Sequence, residues 1–369
     1  MSLDERARRW VATMGGHRAS TGVRQAHIGA DGQRIGPVAL LDREAREQAE
    51  ADDLAPGATR SQGAGRRLGA EEPDPLRTCF QRDRDRILHS AAFRRLAGKT
   101  QVFIFPADHQ RTRLTHALEV AQVATAIARA CRLNVSLVEA IALGHDCGHG
   151  PGGHASEDAF GVFVAGFDHA VWGADVTAVS LNLCTETLDG IRNHSWSRPA
   201  PATPEGQLVG LADRVAYCAH DLEDAVAAGL VSPADLPSLV VERCGSTRSR
   251  QLHAFIDDIV TTIHDTGLVG MSDELGDALA ALREFNHQRI YCRPDSMAQA
   301  STVIEVLRAL VEHYLAHPDD LPGGFRSEQD PVHAAVAYVD GMTDRFACDQ
   351  ATTLLGWPPE RLPRGQDVG

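Results

Sequence analysis

The sequence predicts an all-α protein, a helical bundle carrying additional helices toward its C-terminal end. Three observations point there. Apolar residues recur at three- and four-residue spacing along most of the chain, no alternating strand pattern of useful length occurs, and clusters of Pro and Gly punctuate the periodic stretches. Residues 1–70 are rich in Gly, Ala, Arg and Asp with little periodicity, so apart from a short helix over 4–12 they read as an extended arm. Order is expected from Asp74-Pro75-Leu76 onward. The expected helices cover 83–97, 111–130, 136–146, 155–163, 184–193, 204–228, 248–266, 273–290, 296–317 and 331–355. Pro199-Ala-Pro201 breaks the middle of the chain, and Pro322-Gly-Gly324 precedes the last helix. The expected organisation is an N-terminal arm over 1–70, a helical domain over 71–230 that carries the candidate site, and a C-terminal helical region over 231–369 packed on it.

Composition narrows the class. A chain of 369 residues, 43% of them hydrophobic, is long enough to bury a sizeable core. A formal net charge of −14 argues against bulk non-specific nucleic-acid binding, because any attraction for phosphate must come from a local patch. The eight cysteines (79, 131, 147, 184, 218, 244, 292, 348) include no Cys-x-x-Cys pair. They read as small buried hydrophobes of a reducing compartment, not as a disulfide frame or a zinc–thiolate site. No apolar run approaches the ~20 residues of a membrane span, and the N-terminus lacks the apolar stretch of a signal peptide, so a cytoplasmic protein without membrane contact is expected. Of the 36 Lys and Arg residues only Lys99 is a lysine, which makes that one side chain informative.

The chemistry concentrates on three helices. Around His116, positions 116, 120, 123 and 127 share one helix face, so His116 joins an inward apolar stripe. Val138, Ile141, Ala142 and His145 share a face of the next helix, and Asp146 follows directly. Gly144 and Gly148 flank that pair and permit close backbone approach. In the helix over 204–228 the apolar stripe is Leu208, Leu211, Val215, Cys218 and Leu222, while Asp213, Tyr217, Asp221 and Asp224 run along another face. A lone inward histidine is more often a satisfied core residue. Two inward histidines with two carboxylates are better explained as ligands, because a cation removes the several-kcal/mol cost of burying unpaired carboxylates. His116, His145, Asp146 and Asp213 are therefore the candidate ligands of one divalent metal. Imidazole and carboxylate together suit Mn, Mg, Fe, Ni or Zn, with Mn and Mg favoured here, and four protein ligands leave room for water and substrate.

Longer stretches carry a resemblance. Gln81-Arg-Asp-Arg-Asp-Arg-Ile-Leu-His-Ser, Phe93-Arg-Arg-Leu-Ala-Gly-Lys-Thr-Gln-Val, Arg111-Thr-Arg-Leu-Thr-His-Ala-Leu-Glu-Val-Ala, His145-Asp-Cys-Gly-His-Gly-Pro-Gly-Gly-His-Ala-Ser-Glu, Leu211-Ala-Asp-Arg-Val-Ala-Tyr-Cys-Ala-His-Asp-Leu-Glu-Asp-Ala and Gly341-Met-Thr-Asp-Arg-Phe-Ala occur in this order. Together they resemble the deoxynucleoside triphosphate triphosphohydrolases, the bacterial dGTPase-like branch of the HD-domain superfamily, over roughly residues 74–357. The resemblance implies an HD-domain helical bundle, the same four metal ligands, and His154 with Glu157 as the catalytic pair. It places His149 and His169 by the phosphates, Arg113, Arg214 and Tyr217 on the triphosphate, and Asp221 near the sugar; Gln101 is counted with the substrate contacts. It also implies a homo-oligomer. Two departures stand out: Cys79 replaces a usual proline, and Ala170-Val-Trp-Gly follows His169 where the family usually has an Asn and a Gln.

Hydrolysis of a triphosphate ester needs a strong nucleophile, charge neutralisation and a protonated leaving group. A metal serves the first two. His154 and Glu157 are three residues apart, and a carboxylate one turn away orients the imidazole and favours its protonated form, able to protonate a departing oxygen. The expected reaction is attack of water at the α-phosphorus with departure of the 5′-oxygen, giving a deoxynucleoside and inorganic triphosphate, with dGTP among the substrates. Arg113, one turn before His116, and Lys99 are the cations expected to meet the polyphosphate. Gly98-Lys99-Thr100 is not a P-loop, since position 93 is Phe rather than Gly. Arg77, Arg82, Arg84, Arg86, Arg94 and Arg95 set against Asp83 and Asp85 read as a local basic surface: a solvated helix face, or a site for a regulatory nucleotide, a neighbouring subunit or single-stranded DNA. Two other functions fit parts of the pattern: another HD-domain nucleotide phosphohydrolase, and a nucleotide- or single-stranded-DNA-binding regulator.

Overall fold

Sixteen α-helices carry the fold among the described residues of the computed structural model, which are 2–18, 22–27, 30 and 34–365. The chain divides into two compact units, Met1–Asp42 and Arg43–Gly369. In the first, α1 (Leu3–Thr13) starts from a reciprocal cap between Ser2 and Glu5, and His17–Arg18 pairs antiparallel with Arg24–Gln25. The expected arm is thus shorter than 1–70. The second unit opens with α2 (Arg43–Asp53), and the segment after it is held by carboxylates, with Glu50 accepting from Ser61 N and Oγ (2.6 and 2.9 Å) and Glu205 from Thr59 N and Oγ1 (3.0 and 2.7 Å). Polar anchors of this kind leave no apolar periodicity to read.

The second unit holds α3 (Cys79–His89), α4 (Ala91–Arg95), α5 (Arg113–Ala130), α6 (Val135–Gly144), α7 (Ala155–Phe160), α8 (His169–Trp172), α9 (Thr185–Asn193), α10 (Pro204–Ala227), α11 (Ser238–Cys244), α12 (Arg248–Thr266), α13 (Asp273–Asn286), α14 (Pro294–Ala316), α15 (Pro331–Asp340) and α16 (Asp344–Leu355). Two expected helices are divided. Ser90 ends α3 and caps α4 through its side chain on Phe93 N, and Thr343 caps α16 through Phe346 N after the turn at Gly341. A capping hydroxyl offers the backbone an alternative to continuing the helix, which the apolar spacing does not report. Past Asn286 the helix expected to reach 290 opens into a π-turn over His287–Tyr291.

Two apolar cores form. The larger joins α3, α5, α6, α9 and α10 to α12 and α13, with Val120, Ile127, Leu137, Ile141, Leu208 and Phe255 fully buried. The smaller sets α7 and α8 against α14, α15 and α16 around Phe160, Val306, Leu310, Tyr314 and Val339. Residue 231 is therefore not a packing boundary, since α12 and α13 complete the first core. No described helix is long and apolar enough to cross a membrane. All eight cysteines are free thiols, and contrary to expectation Cys292 is exposed.

The arginine-rich start of α3 is not an open basic face. Arg77 pairs with Asp74 and Asp85, Arg82 and Arg86 with Glu71, Arg84 with Asp85, and Arg67 with Asp83. Asp83 is a fully buried hub that accepts from Arg67 Nη1 (2.6 Å), Cys184 N (2.8 Å) and Thr187 Oγ1 (2.7 Å). Removing one partner of such a set strands the others without water. Asp83→Ala is expected to lower unfolding free energy by about 3–5 kcal/mol, read from urea denaturation; an unchanged midpoint would mean the hub is solvated.

Candidate metal centre

Three helices bring the candidate ligands to one point. His116 lies in the first turn of α5, His145 and Asp146 follow the end of α6, and Asp213 sits in mid-α10. His116 Nε2 is 3.1 Å from Asp213 Oδ1 and 3.8 Å from Asp146 Oδ2, while His145 Nε2 is 3.5 Å from Asp146 Oδ1 and 3.6 Å from Asp213 Oδ1. The packing needs glycine: a β-carbon on Gly144 would sit 2.7 Å from Ile191 Cδ1, and one on Gly148 only 2.1 Å from the His169 carbonyl oxygen.

The donor set fits a cation. His145 Nδ1 lies 2.7 Å from the Ala142 carbonyl, so it carries the hydrogen, and in the neutral ring Nε2 turns its lone pair toward two carboxylate oxygens. That Nε2 is buried and makes no hydrogen bond. Burial raises both carboxyls, yet both sit well below the usual carboxylate range: Arg113, His145 and His149 outweigh it at Asp146, and His116 and His145 at Asp213. At His145 burial favours the neutral ring, but Asp146 and Asp213 overcome it and lift the imidazole to about 9. Two carboxylates and two imidazoles facing one point are oxygen and nitrogen donors of the kind that suit a divalent cation.

A second cluster adjoins the first. The rings of His149 and His169 stack at 3.6 Å, and the Glu157 carboxylate contacts His169 Nδ1 and accepts from His169 N (3.2 Å). His154 Nδ1 is 3.6 Å from the other Glu157 oxygen, and the His154 side chain is 73% exposed. Burial raises the Glu157 carboxyl, but His154 and His169 outweigh it and hold it far below the usual range. Burial, with Arg113 and His169, pushes His149 well below the ordinary imidazole range, so it stays neutral. Gly152 and Gly153, both at positive φ, turn the chain into His154; the Asp344 carboxylate pins that turn, accepting from Gly152 N (2.9 Å) and Thr100 Oγ1 (2.5 Å).

Both clusters face a cavity of about 1220 Å³, larger than the ~300–1,000 Å³ of ordinary small-ligand pockets. Its lining includes Gln101, Arg113, Arg214, Tyr217 and Asp221. Arg113 pairs with Asp146 (2.7 Å), the Arg214 guanidinium lies 3.8 Å over the Trp196 ring, and Tyr217 Oη accepts from Arg283 Nε (3.0 Å). Asp221 accepts from Tyr291 Oη (2.7 Å), and burial pushes its carboxyl up to about 6.

Lys99 is the correction. It does not line the cavity but is buried, its Nζ donating to the His149 carbonyl and to the Asp340 carbonyl (2.9 Å). Burial lowers its pKa. The lone lysine ties the metal-motif loop to α15 instead of meeting polyphosphate. Lys99→Met is expected to leave bound metal unchanged while costing about 1–3 kcal/mol, because two buried carbonyls lose their donor; a thermal melt reads this, and loss of metal with an unshifted melt would reverse the assignment.

The lining residues not singled out from the sequence include His194, Trp196, Arg283 and Tyr291. His194 caps the end of α9, its ring 4.9 Å from that of His145 and its Nε2 3.3 Å from His169 Nε2; burial and those two rings push it down to about 4. The signal for it, a histidine closing a helix that packs on the metal motif, becomes visible only once the packing is known.

Comparison with known proteins agrees with this architecture. Residues 113–218 match the HD domain, and residues 269–353 match the phosphohydrolase-associated domain. The chain is 41% identical to a deoxyguanosinetriphosphate triphosphohydrolase-like protein of Caldanaerobacter subterraneus, covering 83% of this chain and 93% of that one. It is 41% identical to a protein of the same description from Clostridium perfringens (76% and 87% covered) and 39% identical to one from Desulfatibacillum aliphaticivorans (83% and 95%). With both domain matches in their expected order and identity of this extent over nearly the full length of these relatives, the chain belongs to the dGTPase-like family of HD-domain phosphohydrolases.

Proposed function

We propose that this protein is a metal-dependent triphosphohydrolase of deoxynucleoside triphosphates, dGTP among them, releasing the deoxynucleoside and intact inorganic triphosphate. The observation that carries the reading is the convergence of His116, His145, Asp146 and Asp213 beside the His149–His154–Glu157–His169 cluster, on one arginine-lined cavity large enough for a nucleotide. Those four side chains would hold a divalent cation, Mn or Mg, which would supply charge to offset the phosphates and activation of a water.

The chain's own groups supply the rest. Arg113, Arg214 and Arg283 face the cavity and set the polyphosphate by charge-assisted hydrogen bonds. Glu157 orients His154, whose exposed ring is free to reach the bridging oxygen and donate a proton to the leaving 5′-oxygen. His149, kept neutral and stacked on His169, presents a hydrogen-bonding edge to a phosphoryl oxygen. Asp221, held by Tyr291, faces the cavity as an acceptor for a sugar hydroxyl. The relatives' printed description names deoxyguanosine triphosphate, which supports the same substrate class here.

The test is direct. Purified protein is offered each dNTP and rNTP with Mn, with Mg or with chelator, and triphosphate is detected as such. Intact triphosphate from a dNTP, abolished by chelation, is expected. Release of monophosphate or diphosphate would assign the chain to a different phosphohydrolase reaction. Nucleotide binding without turnover under any metal would instead make it a regulator.

A further inference from the structure

Away from the metal centre, a second cleft of about 330 Å³ opens beside the start of α3, lined by Ser61, Gly65, Arg67, Cys79 and Arg82 among others. Cys79 is half-buried on its wall, and Cys184 lies behind it, fully buried. The Cys79 and Cys184 sulfurs flank one point, the place a β-carbon on Gly65 would occupy, and the Cys79 thiol lies 3.7 Å from the Ser61 carbonyl oxygen. Gly65 is what leaves them room: a β-carbon there would sit 2.7 Å from both Cβ and Sγ of Cys79 and 3.4 Å from Sγ of Cys184. The frame around them is fixed. Cys184 N donates to Asp83 (2.8 Å), Thr185 N to the Arg66 carbonyl (2.8 Å), and Arg67 Nη2 to the Cys79 carbonyl (3.0 Å).

We propose that Cys79 and Cys184 are a reversible thiol–disulfide site, at which a low-molecular-weight disulfide oxidises the pair to an intramolecular bridge joining the start of α3 to the start of α9. The pair uses none of the groups assigned to hydrolysis. Cys184 is fully buried while Cys79 lines the cleft, and the neighbouring Cys79 and burial push the Cys184 thiol up, so Cys79 reacts first. The Cys79 thiolate attacks one sulfur of the small disulfide, giving a mixed disulfide and one thiolate. Cys184 then loses its proton to solvent and attacks the Cys79 sulfur, expelling the second thiolate. The protein pair gives up two electrons and two protons, and one small disulfide becomes two small thiols. The bridge joins two neighbouring sulfurs while pulling on the first turn of α9, whose far end carries His194 against His145 and His169. Oxidation is thereby felt at the metal centre.

The full-length protein, incubated with oxidised glutathione and then alkylated, decides the matter by intact mass and peptide mapping. The expected product has lost two hydrogens, joins the Cys79 and Cys184 peptides, and reverts with dithiothreitol. Cys184→Ser is expected to stop at a single glutathione adduct on Cys79, and Cys79→Ser to form no bridge and leave Cys184 unmodified. Wild-type protein that stays reduced, stops at the mixed disulfide, or bridges other cysteines overturns the proposal, whatever the variants do. The bridged protein is expected to turn over several-fold more slowly and to recover with dithiothreitol; an equal rate before and after reduction overturns the link to the metal centre.

Discussion

Asp213→Ala is expected to empty the metal centre and silence the enzyme. Asp213 is the one candidate ligand contributed by α10, and its Oδ1 lies within 3.6 Å of both His116 Nε2 and His145 Nε2, so its loss removes a carboxylate oxygen that faces both imidazoles at once. Substitutions in the outer shell of a metal site typically cost ~10–100-fold in affinity, and a direct ligand should exceed that, above about 2.7 kcal/mol. Elemental analysis of the purified variant should show metal falling from about one equivalent to a trace, with turnover falling in parallel. Circular dichroism should still report a folded protein, because α10 keeps its apolar stripe of Leu208, Val215, Cys218 and Leu222 in the core. A folded variant that keeps its metal would remove Asp213 from the ligand set.

His154→Ala should show the opposite separation, with metal retained and turnover lost. General acid assistance is worth ~10²–10⁴-fold, or about 2.7–5.4 kcal/mol, and this is the fall expected in kcat. The side chain is 73% exposed, so its removal opens no cavity and stability should change by no more than ~0.5 kcal/mol. Glu157→Gln should reduce turnover too, and it should also disturb His169, since Glu157 contacts both rings. Unaltered kcat in His154→Ala would move the acid role elsewhere in the cluster.

Much of the site was legible because ligands on inward helix faces carry the same periodicity as core residues. His116 shares its face with Val120, Val123 and Ile127, and those neighbours are fully buried, as the spacing implies. Helix ends were less legible. Ser90 and Thr343 each divide a run whose apolar spacing continues across them, because a side-chain hydroxyl competes locally with the next backbone hydrogen bond. Lys99 was misplaced for a related reason: charge suggests a phosphate contact, but a long side chain buried among carbonyls is satisfied by backbone alone.

By itself, then, the sequence determined the helical class, the inward direction of His116 and His145, the adjacency of His145 to Asp146, and the polar stripe of α10. These follow from local geometry, in which 3.6 residues per turn fixes which side chains share a face. Tertiary structure alone decided the distances between helices. Packing of α3, α5, α6, α9, α10 and α13 sets the Asp146 and Asp213 oxygens within 4 Å of the His116 and His145 nitrogens, brings His194 against His145, seats Tyr291 against Asp221 and places Cys184 near Cys79. Such contacts span tens of residues and are fixed by the fit of whole helix faces, which no window of sequence contains.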